Sequence, residues 1–125
     1  MATPQFATIL FAHGSRDPLW HQPMQAVADR ASQLDPSTPV RCAYLELTHP
    51  DLPSCARELI AAGANSITIV PMFLGVGRHA REDLPQILDA LRAEHPDVSF
   101  QLVPSVGENS QVIDLLARIA ISKAS

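Results

Sequence analysis

Four short apolar runs alternate with four amphipathic stretches along this chain, and that alternation limits the fold more than any other feature. The runs are Phe6 to Ala12, Val40 to Leu45, Ser66 to Met72 and Val98 to Val103. They carry Ile, Val and Thr with few polar interruptions, as strands buried on both faces require. Between them lie helical patterns. From about Pro18 to Leu34, Met24, Val27, Ala28, Ala31 and Leu34 repeat at helical spacing. From about Leu52 to Ala62, the inward set is Leu52, Cys55, Ala56, Leu59 and Ile60, and Gly63 follows as a helix stop. A third helix is expected from about Leu84 to Glu94, with Asp83 as N-cap and Pro85 tolerated in the first turn. A fourth runs from about Ser110 to Ser122, with Val112, Ile113, Leu116, Ile119 and Ala120 turned inward.

The order βαβαβαβα predicts an α/β fold: a four-stranded parallel sheet with helices on both faces, in the flavodoxin-like order 2-1-3-4. The 125 residues fit one domain, 1–125, and can bury a core without disulfides. Cys42 and Cys55 stand in no CxxC motif and read as small buried thiols of a reducing compartment. The N-terminal stretch has no basic leader, and no apolar run is long enough to span a bilayer, so a cytoplasmic protein is expected. The net charge of −4 leaves no basic stripe for nucleic acid. No Walker A pattern occurs, and GVGRHA is no dinucleotide fingerprint, so neither ATP nor NAD is implied.

In an open parallel sheet, ligands bind beyond the carboxyl ends of the strands where the winding reverses. In order 2-1-3-4 that point lies between strands 1 and 3. The loop after strand 1 reads His13-Gly14-Ser15-Arg16; the loop after strand 3 reads Phe73-Leu74-Gly75-Val76-Gly77-Arg78-His79. Strand 2 ends at Glu46. Taken alone, a histidine at a strand end is often a structural cap, and one in a loop is often solvated. At the switch point, His13 and His79 become candidate metal ligands, since imidazole suits Fe, Co, Ni, Cu and Zn. Two protein ligands leave coordination positions open, as a metal that must be passed on requires. Glu46 is either a solvated strand-end residue or a carboxylate that accepts protons. Arg16, Arg78 and Arg81 are three of nine basic residues, and together they would suit a polyanion. Phe73 and Leu74, followed by two glycines, suggest a wall for a flat apolar ligand. His21, His49 and His95 are left outside the site, with His95 a favourable cation at a helix C-terminus. Trp20 and Tyr44 read as packing residues.

These residues resemble the sirohydrochlorin chelatases of the class II, ATP-independent type, over nearly the whole chain. The resemblance rests on FAHGSRDP at 11–18, YLELTHP at 44–50 and, most specifically, PMFLGVGRHAREDLP at 71–85. It implies insertion of a divalent metal into a sirohydrochlorin-type tetrapyrrole, with Co²⁺ the first expectation and Fe²⁺ or Ni²⁺ alternatives. It puts the metal on His13 and His79 and makes His13 a proton acceptor. Catalysis falls to His13, Glu46 and His79, and substrate contacts to Ser15, Arg16, Glu46, Phe73, Leu74, Gly75, Val76, Gly77, Arg78 and Arg81. Larger members hold two such domains across a cleft, so a chain of one domain is expected to pair as a homodimer. No cofactor beyond the metal substrate is implied. Other readings are a non-enzymatic metal or tetrapyrrole carrier, a plain interaction domain and a histidine-phosphatase-like enzyme. The last expects Arg-His-Gly, whereas Ala12 precedes His13 here.

Overall fold

The computed structural model describes residues 3–123. Its strands are β1 (Phe6–Ala12), β2 (Val40–Tyr44), β3 (Ser66–Pro71) and β4 (Ser99–Leu102), each within a residue or two of its apolar run. They form one parallel sheet in the order β2-β1-β3-β4. The helices are α1 (Gln22–Leu34), α2 (Leu52–Ala61), α3 (Arg78–Glu94) and α4 (Ser110–Ile121), and short 3-10 turns span Pro18–His21 and Val106–Glu108.

Alternation along the central strand divides the core in two. Ala7, Ile9 and Phe11, with Ile67 and Ile69 of β3, face α2 and α3, where Leu52, Cys55, Ala56, Leu59, Leu84, Leu88 and Leu91 meet them. Leu10 and Ala12 face the other way, against Met24 and Ala28 of α1 and against Tyr44. Both faces of β1 are therefore dry, and its polar backbone is satisfied by β2 on one edge and β3 on the other. Cys55 lies in the larger core, where burial pushes its thiol up to about 12; the half-buried Cys42 thiol is also raised by burial. Both are free thiols.

Three expectations need correcting. First, α3 begins at Arg78, not Leu84. Its N-cap is Gly77, which offers no side-chain bond, and Asp83 lies inside the helix. Pro85 then sits in the helix interior, where it withholds the N–H that would reach the Arg81 carbonyl. Second, in α1 only Met24 and Ala28 are buried, while Val27 and Leu34 are exposed, because the stripe of Met24, Ala28 and Ala31 that meets the smaller core is narrow and leaves those two on its flank. Third, α4 buries none of its residues. Ile113, Leu116 and Ile119 are 51%, 40% and 59% exposed. The helix leaves the Val106–Glu108 turn under an Asn109 cap bonded to the Gln111 and Val112 amides, but its apolar face does not settle on the sheet.

The start of α2 closes the frame beside β2. The Asp51 side chain accepts from the Ser54 amide at 2.8 Å, and that bonding holds its carboxyl below the ordinary 3.8. A carboxyl depressed by folding stabilises the fold above its unfolded value and loses that effect as pH falls through the folded one. Asp51→Ala is therefore expected to cost about 1 kcal/mol at neutral pH, measured by urea denaturation. The gap between wild type and variant should close as pH falls below 3.8. An equal gap at neutral and acid pH would refute the cap as its source.

Candidate functional site

Loops after adjacent parallel strands emerge side by side, and the loop after β1 is joined to the loop after β2 by continued hydrogen bonding. The Leu45 amide donates to the Ala12 carbonyl at 2.9 Å, and the Glu46 amide donates to the His13 carbonyl at 3.0 Å. Gly14 lets the two backbones approach. Its φ is +106°, and a Cβ there would stand 1.8 Å from the Glu46 carbonyl oxygen. Both the backbone angle and the space demand glycine.

This pairing brings His13 and Glu46 together. His13 Nε2 lies 3.5 Å from Glu46 Oε1, and both side chains are about half exposed. The His13 ring stands edge-on to Phe73, centroids 6.3 Å apart, and Phe73 stands edge-on to the buried Phe11 at 6.2 Å. An imidazole, a carboxylate and an aromatic wall thus meet at the carboxyl end of the central strand. Such a group can hold a cation and take up protons against an apolar surface.

His79 sits in the first turn of α3, beyond the neighbouring strand β3. Its side chain is 83% exposed, and Nε2 lies 3.8 Å from Asp83 Oδ2, one turn on. Among the described residues, no group of three or more His, Cys, Asp or Glu gathers as a metal site would. His13 in the loop after β1 and His79 in the first turn of α3 each stand beside a carboxylate and are open to solvent.

The three arginines stand in three surroundings. Arg16 lines a polar cavity with Glu46, Thr48 and His49. Arg78 pairs with Glu82 at 2.9 Å. Arg81 lines a separate, mostly apolar cavity with Val76, Leu84, Leu102 and Glu108. The loop from Phe73 to Gly77 is tied at its start. Ser105 Oγ donates to the Phe73 carbonyl, and the Gly107 amide donates to the same oxygen at 2.9 Å. Leu74 is exposed, and open space surrounds Gly75 and Gly77. Neither of those glycines has a positive φ, so their use is room, not backbone freedom.

Sequence reasoning missed Ser105 and Gly107, which lie far along the chain with no motif to mark them. Sequence reasoning also gives no sign that Thr48, in the YLELTHP stretch, and His21 both bond the Ser15 backbone.

The family model described as CbiX matches residues 7–122. This chain belongs to the CbiX family. A crystal structure of a putative cobalamin (vitamin B12) biosynthesis CbiX protein from Marinobacter aquaeolei VT8 is 30% identical, with a TM-score of 0.80, covering 92% of this chain and 93% of that one. A sirohydrochlorin cobaltochelatase from Methanococcus aeolicus is 35% identical over 88 residues, which span 70% of this chain and 62% of that relative. The sirohydrochlorin chelatase SirB from Bacillus subtilis subspecies spizizenii, solved in complex with cobalt, shares the fold with a TM-score of 0.72 and 24% identity. The match covers 93% of this chain and 50% of SirB.

Gly14→Ala is expected to destabilise the fold by about 1–3 kcal/mol, since the new Cβ must push apart the two loops that carry His13 and Glu46. Chemical denaturation measures this, and an unchanged midpoint would refute the close approach.

Proposed function

We propose that this chain is a metal chelatase that inserts a divalent metal into a sirohydrochlorin-type tetrapyrrole without ATP, with Co²⁺ the preferred metal and Fe²⁺ or Ni²⁺ alternatives. The observation that carries this reading is the His13–Glu46 pair, 3.5 Å apart at the end of the central strand and backed by Phe73. The family, and the cobaltochelatase activity named for the Methanococcus aeolicus relative, support it.

Metallation removes two pyrrole N–H protons and replaces them with M²⁺. Three things slow it: the metal must shed water, the protons must find a base, and a flat ring presents its nitrogen lone pairs poorly. In this proposal His13 and His79 hold the incoming metal as exchangeable ligands. Two protein ligands leave positions for ring nitrogens, so the metal can be handed over and not trapped. Glu46, beside His13, takes the pyrrole protons and passes them to solvent, which spares His13 from acting as ligand and base through one nitrogen. Phe73 and Leu74, with the open ground at Gly75 to Gly77, form the surface for the macrocycle. Ser15 and Arg16, with Arg78 and Arg81, meet its peripheral carboxylates. No cofactor beyond the metal substrate is called for.

The chain is proposed to work as a homodimer through α4. An apolar helix face left in water is costly, and Ile113, Leu116 and Ile119 have no cover from their own sheet. The match to half of the SirB chain fits a unit that pairs with a second copy. The free thiols fit the reducing cytoplasm as the place of work, and no helix among the described residues is long and apolar enough to cross a membrane.

An absorbance time course of sirohydrochlorin with Co²⁺, Fe²⁺ or Ni²⁺ tests the activity. Wild type should accelerate the spectral change without ATP, and His13→Ala and His79→Ala should each fall to the uncatalysed rate. Metal binding without acceleration would instead favour a carrier. Sedimentation tests the assembly: wild type should run as a dimer and Leu116→Glu as a monomer. A monomeric wild type would refute pairing through α4.

A further inference from the structure

Past the ends of β1 and β2, the two loops meet once more, at Ser15 and Thr48. The Ser15 amide donates to Thr48 Oγ1 at 3.0 Å, and the Thr48 hydroxyl donates to the Ser15 carbonyl at 2.8 Å. One hydroxyl therefore satisfies both backbone groups of a residue 33 positions away. A second donor reaches the same carbonyl. His21 Nε2 lies 2.8 Å from it, and because a carbonyl only accepts, that nitrogen carries the proton. The His21 ring is half-buried and held edge-on by Trp20 and Tyr44, with centroids 5.6 Å and 5.3 Å away. Both lone pairs of the Ser15 carbonyl are thus engaged. Ser15 Oγ accepts a further bond, from the Asp17 amide at 3.0 Å.

Thr48 can reach Ser15 because the chain doubles back after Glu46. Leu47 takes a φ of +65°, and the Pro50 carbonyl accepts from the Tyr44 amide at 2.9 Å. His13 and Glu46 stand on the two strands of this closed loop pair, between the Ala12–Leu45 hydrogen bond and the Ser15–Thr48 contact. Both side chains are about half exposed, and beyond the Phe73 edge and each other little holds them. The backbone beneath them must do it.

We propose that Thr48 and His21 are positioning residues, which fix the His13–Glu46 pair by clamping the Ser15 backbone from two sides. The clamp rests on the chelatase reading for its purpose but not for its geometry. Displacement of a ligand by an ångström, or loss of a supporting hydrogen bond, costs about 10–100-fold in metal affinity or rate. A clamp that sets geometry lowers kcat and Co²⁺ affinity more than it raises KM for the tetrapyrrole, because Phe73, Leu74, Arg78 and Arg81 lie on other segments and keep their contacts.

Four variants separate this from a merely structural role: Thr48→Val, Thr48→Ser, His21→Ala and His21→Gln. For each, Ser15 amide exchange is measured by NMR, Co²⁺ affinity by titration, and kcat and KM with sirohydrochlorin and Co²⁺. Thr48→Val should speed Ser15 exchange, and should lower Co²⁺ affinity and kcat by about tenfold, with a smaller change in KM than in kcat. Thr48→Ser, which keeps the hydroxyl, should recover all three. His21→Gln should outperform His21→Ala in the same way, and it serves where Thr48→Val fails to fold. Faster Ser15 exchange with unchanged Co²⁺ affinity and kcat would overturn the proposal and leave the chelatase reading standing. Equal impairment in Thr48→Ser and Thr48→Val would also overturn it. If Co²⁺ affinity follows the clamp but no variant, wild type included, metallates the ring, the chelatase reading falls and the positioning role remains.

Discussion

β1 is hydrogen-bonded on both edges and packed on both faces, so only its ends are free, and the rest of the structure is arranged around that constraint. Parallel pairing sets β2 and β3 alongside it and brings the three strand ends to one edge of the sheet. The alternation that buries Phe11 toward α2 and α3, and Ala12 toward α1, delivers the next residue, His13, at the rim. A one-residue slip in register would exchange the residues facing the two cores, setting Phe11 where the small Ala12 now packs, so the position of His13 is tied to the packing of the core.

The loops beyond the strands continue this order by other means. Strand pairing ends at Ala12 and Tyr44, yet amides still meet carbonyls at Leu45 and Glu46, and then a side-chain hydroxyl takes over at Thr48. Gly14 allows the contact and Leu47 turns the chain back to make it. Two half-exposed side chains would otherwise lose rotamer and backbone freedom only at a cost in entropy. A loop already satisfied in its hydrogen bonds has largely met that cost in folding, so little would be left for the metal binding proposed above.

The four strands and their order, and with them the meeting of His13 and Glu46, were legible because a parallel sheet leaves a coarse signal: apolar runs of limited length between helical repeats. Other features were less visible for identifiable reasons. The start of α3 was misread because Asp83 carries the familiar capping chemistry, while Gly77 caps with backbone alone. The apolar positions of α4 were read correctly as a stripe, but amphipathicity says only that a face must be covered, not by which surface. His21 looked like any helical histidine, since its role depends on where Ser15 comes to rest. The arginines were grouped by their nearness in sequence to the two loops. Arg78 and Arg81 differ by three positions on one helix, yet one pairs with Glu82 and the other lines a cavity against β4. Helical phase separates what a linear reading joins.

The openness of the site follows from the same architecture. The end of β1 carries His13 at its rim, and α3, which follows β3, carries His79 in its first turn. The end of β2 adds Glu46, 3.5 Å from His13, and among the described residues no third histidine, cysteine or carboxylate joins His13 and Glu46. Under the proposed function, His13 and His79 as metal ligands would leave coordination positions vacant, unlike a closed cage. For a protein that stored metal this would be a weakness. For one that must release it into a competing set of four ring nitrogens, weak and incomplete coordination by the protein is what lets the transfer run downhill.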